Sequence, residues 1–228
     1  MCNSTRDDAL VFSLHHVLFT SFSDAMDPTD KINQWVRPGI RALSSYHVPA
    51  AGNYIKLDAM ENPWPWPEEL RQDWLQRLQQ VELNRYPDPG ALELRAGMRR
   101  AMGVPDAAAV LLGNGSDELI QMIIQTVAAP GRTVLAPVPT FVMYRQIAAV
   151  AGMEFSGVAL RADFALDEEA MLEAVVRQQP AVTFLAYPNN PTGNLFDAAV
   201  IEAILSRADG LVVVDEAYAP FTLSLIHI

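Results

Sequence analysis

Short apolar runs alternate with longer amphipathic runs from residue 109 to residue 218, and this alternation constrains the fold more than any other feature of the sequence. The predicted strands are residues 109–112, 133–137, 154–160, 181–187 and 211–218, and the predicted helices between them are residues 117–128, 140–152, 167–179 and 197–208. Several strands are apolar throughout, which is typical of strands covered on both faces. Helices between such strands make right-handed crossovers between parallel neighbours. The sequence therefore predicts an α/β fold, a three-layer sandwich with a mostly parallel central sheet.

The segments around this region differ in character. Residues 1–30 are expected to be a disordered extension, or sequence translated upstream of a true start at Met26. Residues 31–66 are expected to form an N-terminal arm followed by a proline-rich loop. Residues 67–222 carry two helical patterns before the strands begin, and we expect them to form one main domain.

Composition and charge exclude several classes of partner. The chain of 228 residues has a net charge of −11, so we expect neither nucleic acid nor an anionic membrane surface as a partner. No apolar run approaches the length of about 18 residues that a transmembrane helix needs. The single cysteine, Cys2, can form no internal disulfide, which favours a reducing, cytoplasmic location. The four histidines show no metal-ligand spacing, so no metal site is expected.

The stretch LLGNGSDELI (111–120) has the pattern of an anion site. Two glycines allow a tight turn, and a helix is predicted to start at Ser116 and Asp117. Free N–H groups and the positive end of the helix dipole favour a phosphate at such a position. Ordinary helix capping by Ser116 and Asp117 remains the alternative interpretation.

Two further stretches follow predicted strands, at the edge where parallel sheets bind ligands. In AYPNNPTGN (186–194), two prolines fix the backbone while Asn189 and Asn190 offer side-chain amides. In VVVDEAY (212–218), Asp215 ends an apolar strand, and a buried carboxylate requires a partner. A protonated heterocyclic nitrogen is one such partner, and an arginine in a structural ion pair is the other.

Taken together and in this order, these stretches resemble the pyridoxal-phosphate-dependent aminotransferases of fold type I, class I/II, and within them the histidinol-phosphate aminotransferase branch. The resemblance covers residues 32–222 and rests on LDAMENP (57–63), NRYPDP (84–89), APVPTFVMY (136–144), YPNNPTG (187–193) and VVVDEAY (212–218). It implies the large cofactor-binding domain of that fold, pyridoxal 5′-phosphate as the cofactor, and a homodimer.

The resemblance also implies roles around the cofactor ring. Asp215 would bind the pyridine nitrogen N1 and keep it protonated, so that the ring accepts electrons. Asn190 and Tyr218 would hydrogen-bond the phenolic oxygen. Phe141 would stack on the ring, at a position where many relatives have tyrosine.

Further roles concern the phosphate and the substrate. Ser116 and Asp117 would hold the cofactor phosphate, and Tyr86 would reach the phosphate bound by the neighbouring subunit. Tyr46 and Asn62 would lie near the substrate, although packing of the N-terminal arm is an alternative role for Tyr46.

The catalytic lysine of such enzymes is absent from the positions that the resemblance implies. It is expected after Tyr218, but the only lysines are Lys31 and Lys56, so no catalytic residue is assigned in this chain. We therefore expect the chain to be an incomplete, inactive front part of the enzyme. Residues 223–228, LSLIHI, are expected to be a non-native tail, because they resemble the translation of a transposon-end adapter used in DNA libraries; a natural short terminus is the alternative.

The implied activity is transfer of an amino group from L-histidinol phosphate to 2-oxoglutarate, in histidine biosynthesis. Another class I/II aminotransferase, or a related pyridoxal-phosphate-dependent decarboxylase acting on a phosphorylated amino acid, is the nearest alternative. An aminotransferase-like sensing domain of a transcription regulator is a third, but residues 1–30 are too short and too acidic for a winged helix.

Overall fold

The computed structural model describes residues 28–44, 52–53, 62 and 64–222, which belong to two compact units within residues 1–45 and 46–228. In the first unit, helix α1 is Pro28–Trp35 and helix α2 is Pro38–Arg41. The first three residues of α1, residues 28–30, fall within the predicted disordered extension; the rest of that extension lies outside the described residues, and its disorder stays a prediction. Proline suits the first turn of a helix, and the negative charge of Asp30 favours the same end. The predicted tail, 223–228, lies outside the described residues.

The second unit contains most of the helices and all of the described strands. Its elements are α3 (Glu68–Leu78), α4 (Leu92–Met102), α5 (Ser116–Val127), β1 (Thr133–Val138), α6 (Met143–Ala151), β2 (Glu154–Ala159), α7 (Glu168–Gln178), β3 (Val182–Ala186), α8 (Ala198–Arg207), β4 (Leu211–Asp215) and a short 3-10 helix (Ala219–Phe221). The predicted alternation of strand and helix is confirmed from β1 to β4. In the part of the chain that the structure describes, no helix is both long enough and apolar enough to cross a membrane.

The four described strands form one parallel sheet in the order β2-β1-β3-β4. The chain runs from β1 outward to β2, returns past β1 to β3, and continues to β4 on the other side. Pairing is long within β1–β2 and β3–β4 but short between β1 and β3, where only Val134 with Val182 and Leu135 with Thr183 are partners. The direction of winding therefore reverses between β1 and β3, the two neighbouring strands that share the fewest ladder pairs.

Helices cover both faces of this sheet. Alternate residues of each strand point to opposite sides, so each strand contributes side chains to the core on both faces. Val134 and Phe184 pack with α5 and α6 on one face. Leu135 and Leu185 pack with α7 and α8 on the other. Every residue of β3 is buried, as its continuous apolar sequence predicts. The predicted three-layer α/β sandwich with a parallel sheet is confirmed.

The predicted strand at residues 109–112 is wrong. These residues form no regular element, and none of the four described strands pairs with them. The side chain of Leu111 is 67% exposed, so the apolar run does not enter the core. A short apolar run without a neighbouring strand has no partner for its backbone hydrogen bonds, and sequence pattern alone does not reveal that lack.

The buried face of α5 provides a test of the core. Ile124 is fully buried, whereas Met122 on the same helix is 37% exposed. We expect Ile124→Ala to lower the free energy of unfolding by about 2–5 kcal/mol, because it removes packed methyl groups and leaves a cavity. Met122→Ala should cost under about 1 kcal/mol. Urea unfolding of both variants compares them, and equal losses would contradict this packing.

Candidate active site

A pocket lies at the carboxyl ends of β1, β3 and β4, where the winding direction reverses. Ligands of open parallel sheets bind at such switch points, because diverging connections leave a crevice there. Its lining residues are Ser116, Phe141, Ala186, Pro188, Asn190, Asp215, Ala217 and Tyr218. Five of the predicted cofactor-binding residues are among them, although they lie in four separate stretches of sequence.

Asp215 presents a carboxylate to this pocket, and both of its oxygens accept a hydrogen bond. The hydroxyl of Tyr144 donates to Oδ2 at 2.6 Å, and the backbone N–H of Ala217 donates to Oδ1 at 3.1 Å. Among the described residues, no arginine, lysine or histidine forms an ion pair with Asp215. The structural ion pair that was the alternative interpretation is therefore not found in that part of the chain.

Tyr144 is the residue of this site that the sequence analysis missed. It is fully buried at the start of α6, stacked on Phe184 with ring centroids 4.6 Å apart and in edge contact with Phe141 at 5.6 Å. Burial, together with the Asp215 carboxylate, raises the pKa of Tyr144 far above its ordinary value. Its partner, Asp215, is 71 residues away in the sequence, so no local pattern indicates the contact. The position of Tyr144 three residues after Phe141 is the one sequence feature that places it near the site.

Asn190 and Tyr218 form a second polar pair on the pocket wall. The Asn190 amide nitrogen donates to the Tyr218 hydroxyl at 3.2 Å. Both side chains are half-buried and line the same pocket as Asp215. The loop after β3 and the turn after β4 thus bring an amide and a hydroxyl together, which can donate jointly to one ligand oxygen.

Asn189 has a different role from its neighbour, although the sequence suggested that both amides face a ligand. Its side chain is fully buried: Oδ1 accepts from the Thr140 hydroxyl at 3.0 Å, while Nδ2 donates to the Pro139 carbonyl at 3.0 Å and to Thr192 Oγ1 at 2.7 Å. These bonds join the end of β1 to the loop after β3. Asn189 therefore holds together the two walls that carry Phe141 and Asn190.

The N-terminus of α5 provides the pocket with backbone donors. The N-cap is Gly115, whose φ of 84° favours glycine, and no side chain caps the helix. Ser116 and Asp117 are the first residues inside the helix, so the interpretation of both as capping residues is wrong. Glu118 instead accepts from the backbone N–H of Asn114. Ser116 lines the pocket, whereas Asp117 is exposed beside it.

Negative charge is concentrated around this pocket. Although Asp117 is mostly exposed, the desolvation of its carboxyl group by nearby protein and, to a smaller extent, the charge of Asp215 raise its pKa above the ordinary value. A second carboxylate near Asp215 is therefore electrostatically unfavourable in the protein alone. A ligand that carries a positive charge to Asp215 would relieve this repulsion.

Comparison with known proteins assigns the family. Residues 52–226 match the family described as "Aminotransferase class I and II". The chain belongs to that family. The sandwich and its parallel sheet are those of the fold-type I aminotransferases, as the sequence predicted.

Relatives and solved structures extend the comparison. Histidinol-phosphate aminotransferase 2 of Nitrosococcus oceani is 57% identical over 192 residues, which are 84% of this chain and 53% of that protein. Histidinol-phosphate aminotransferase of Thiocapsa roseopersicina is 56% identical over 187 residues, which are 82% of this chain and 99% of that protein. The structure of histidinol-phosphate aminotransferase from Sinorhizobium meliloti in complex with pyridoxal-5′-phosphate has a TM-score of 0.68 and 26% identity, and covers 80% of this chain and 50% of that one. The chain thus spans about half the length of two of these aminotransferases.

Two other predicted residues, Tyr86 and Asn62, are absent from the described lining of the pocket, and a third is not described. The side chain of Tyr86 is fully exposed. Asn62 is exposed as well, and its Oδ1 accepts from the backbone N–H of Trp64 at 3.0 Å. Tyr46 lies outside the described residues. Their predicted roles stay predictions.

The contrast between the two neighbouring asparagines is testable. We expect Asn189→Ala to lower the free energy of unfolding by about 2–4 kcal/mol, because it removes the three hydrogen bonds that this fully buried side chain makes to Pro139, Thr140 and Thr192. Asn190→Ala removes one half-buried hydrogen bond and should cost about 1 kcal/mol or less. Urea unfolding measures both; a larger loss for Asn190→Ala would contradict the assignment of Asn189 as the structural residue.

Proposed function

We propose that this chain forms the cofactor-binding part of a pyridoxal-phosphate-dependent aminotransferase that transfers the amino group of L-histidinol phosphate to 2-oxoglutarate. The observation that carries the proposal is the Asp215 carboxylate in the pocket, held by two donors and without a cationic partner among the described residues. The names of relatives about 55% identical to the chain support the choice of substrate. A cytoplasmic location is part of the same proposal.

The residues in the pocket fit the chemical groups of pyridoxal phosphate. A carboxylate complements a protonated ring nitrogen, and leaving Asp215 as an isolated charge in a half-buried position is costly. The Asn190 amide and Tyr218 hydroxyl match a phenolic oxygen. The ring of Phe141 offers an apolar face, and the uncapped N-terminus of α5 at Ser116 favours a phosphate.

Pyridoxal phosphate, when bound, supplies a ring that accepts the electron pair left on a substrate carbon. Asp215 would hold a proton on the ring nitrogen, because its negative charge stabilises the protonated form. Asn190 and Tyr218 would orient the ring through its phenolic oxygen. Ser116 and the free N–H groups of α5 would bind the phosphate and fix the ring over these donors.

The catalytic lysine is not assigned in this chain. The sequence has lysines only at positions 31 and 56, and none among the described residues that line the pocket. The resemblance implies this lysine after Tyr218, and residues 219–228 contain none. We therefore propose that residues 1–228 bind the cofactor but do not transfer an amino group by themselves.

A homodimer is part of the proposal. No side chain of α3 is buried, and its apolar residues Leu70, Trp74 and Leu78 are exposed on the helix surface. Such a face is typical of an interface. The exposed Tyr86 could then reach the phosphate site of a second copy, while Asn62 and Tyr46 would lie near the substrate.

The cofactor site is tested by titration with pyridoxine 5′-phosphate, which has the ring nitrogen, phenolic oxygen and phosphate but no aldehyde to modify Lys31 or Lys56. We expect Asp215→Asn to weaken its binding to the 228-residue chain by roughly 10- to 100-fold, the effect of losing a charge-assisted hydrogen bond. Asp209→Asn, an exposed carboxylate before the amino end of the same strand, is the matched control. Calorimetry measures both affinities. Equal affinity of wild type and Asp215→Asn would rule out the proposed role of Asp215.

The substrate is tested with the complete product of the gene that encodes these residues. We expect glutamate to form from 2-oxoglutarate when L-histidinol phosphate is the amino donor, because both reactants belong to the proposed transfer. Aspartate, aromatic amino acids and O-phosphoserine are the comparison donors. Efficient transfer from one of these, without turnover of histidinol phosphate, would indicate another aminotransferase, and carbon dioxide release without glutamate would indicate a decarboxylase.

A further inference from the structure

Tyr144 lies behind Asp215 and outside the pocket lining. Its hydroxyl is 2.6 Å from Asp215 Oδ2, although the ring belongs to α6 and packs in the core between α5, α6 and the sheet. Tyrosine hydroxyls are usually placed where water or a polar surface satisfies them. Here the hydroxyl of a fully buried ring is directed at the Asp215 carboxylate, which lines the pocket.

We propose that Tyr144 is a positioning residue that fixes the Asp215 carboxylate for a protonated ring nitrogen. This inference rests on the proposed function, since it assumes that Asp215 binds such a nitrogen. It adds a residue that does not touch the cofactor and acts only through Asp215.

The first argument is the geometry of the carboxylate. The terminal torsion of an aspartate side chain is broad, so backbone position alone does not orient its oxygens. In this site each oxygen has its own donor, Tyr144 on Oδ2 and the Ala217 N–H on Oδ1. Two donors on two oxygens define the plane of the group. The remaining lone pairs are then presented to a ligand in a fixed direction.

The second argument is the rigidity of the donor. The Tyr144 ring stacks on Phe184 with an interplanar angle of 12° and meets Phe141 at 84°. Phe184 belongs to the fully buried strand β3, while Phe141 lines the pocket. The hydroxyl is therefore held by core packing and not by a flexible surface side chain.

The third argument is protonation. Burial and the neighbouring carboxylate raise the pKa of Tyr144, so the hydroxyl remains a donor throughout the physiological pH range. It therefore stabilises Asp215 in one orientation whenever Asp215 is ionised. A water molecule in the same place would lack this fixed direction.

The experiment compares Tyr144→Phe with Tyr187→Phe in the 228-residue chain. Phenylalanine keeps the aromatic packing and removes only the hydroxyl. Tyr187 is the matched control, because it is 2% exposed on the opposite face of the same sheet and does not line the pocket. Urea unfolding checks that both variants fold. Each is then titrated with pyridoxine 5′-phosphate and with benzyl phosphate, which has a ring and a phosphate but no ring nitrogen.

We expect Tyr144→Phe to weaken binding of pyridoxine 5′-phosphate roughly five- to twentyfold and to leave that of benzyl phosphate within about twofold. Tyr187→Phe should change neither. The double variant Tyr144→Phe/Asp215→Asn should bind pyridoxine 5′-phosphate no more weakly than Asp215→Asn alone, since both changes act on one interaction.

Other outcomes would overturn the inference in distinguishable ways. If Asp215→Asn weakens binding and Tyr144→Phe does not, the positioning role is wrong while the proposed cofactor site stands. If Tyr144→Phe weakens benzyl phosphate equally, or adds its loss to that of Asp215→Asn, Tyr144 acts on the pocket by another route. If Asp215→Asn itself has no effect, the cofactor role of Asp215 fails and the inference fails with it.

Discussion

The short pairing between β1 and β3 is the constraint on which the pocket depends. The two strands share only two pairs of partner residues, whereas β1–β2 and β3–β4 are paired along their lengths. Beyond Leu135 and Thr183 the backbones of β1 and β3 are no longer ladder partners, and their following loops need another connection. Asn189 provides it with a fully buried side chain. The Asn189 side chain thus joins the segments that follow β1 and β3 beyond the last ladder pair of these strands.

The electrostatics of the site follow from the same arrangement. A parallel sheet collects the ends of β1, β3 and β4 at one edge, together with the N-terminus of α5. The helix end favours an anion, while Asp215 favours a cation a short distance away. A ligand that carries a phosphate at one end and a protonated ring at the other satisfies both requirements. The overall charge of −11 does not oppose such binding, because local donors decide the affinity of a small ligand.

Much of this architecture could be predicted from the sequence, because its signals are local. The strands after residue 133 are apolar runs, and the residues that follow them had to meet at one edge of a parallel sheet, as Phe141, Asn190 and Asp215 do. The contributions of Tyr144 and Asn189 could not be predicted, since each depends on partners far away in sequence. The error at residues 109–112 has the same origin: a strand exists only beside another strand, and the apolar run does not identify its neighbour.

The wide spacing of contacting residues also determines when the site can form during folding. The hydrogen-bonded pairs around the pocket are Asn190–Tyr218, Thr140–Asn189 and Tyr144–Asp215, whose members are 28, 49 and 71 residues apart in the sequence. Between β2 and β3 the chain also has to cross back over β1. Contacts of such separation close large loops and form late compared with helices. Local helices such as α7 and α8 can appear early, whereas Asp215 has no pocket to face until β4 has docked beside β3. Ligand binding therefore reports the docking of β4 beside β3, and a bound ligand would retain that strand in the sheet.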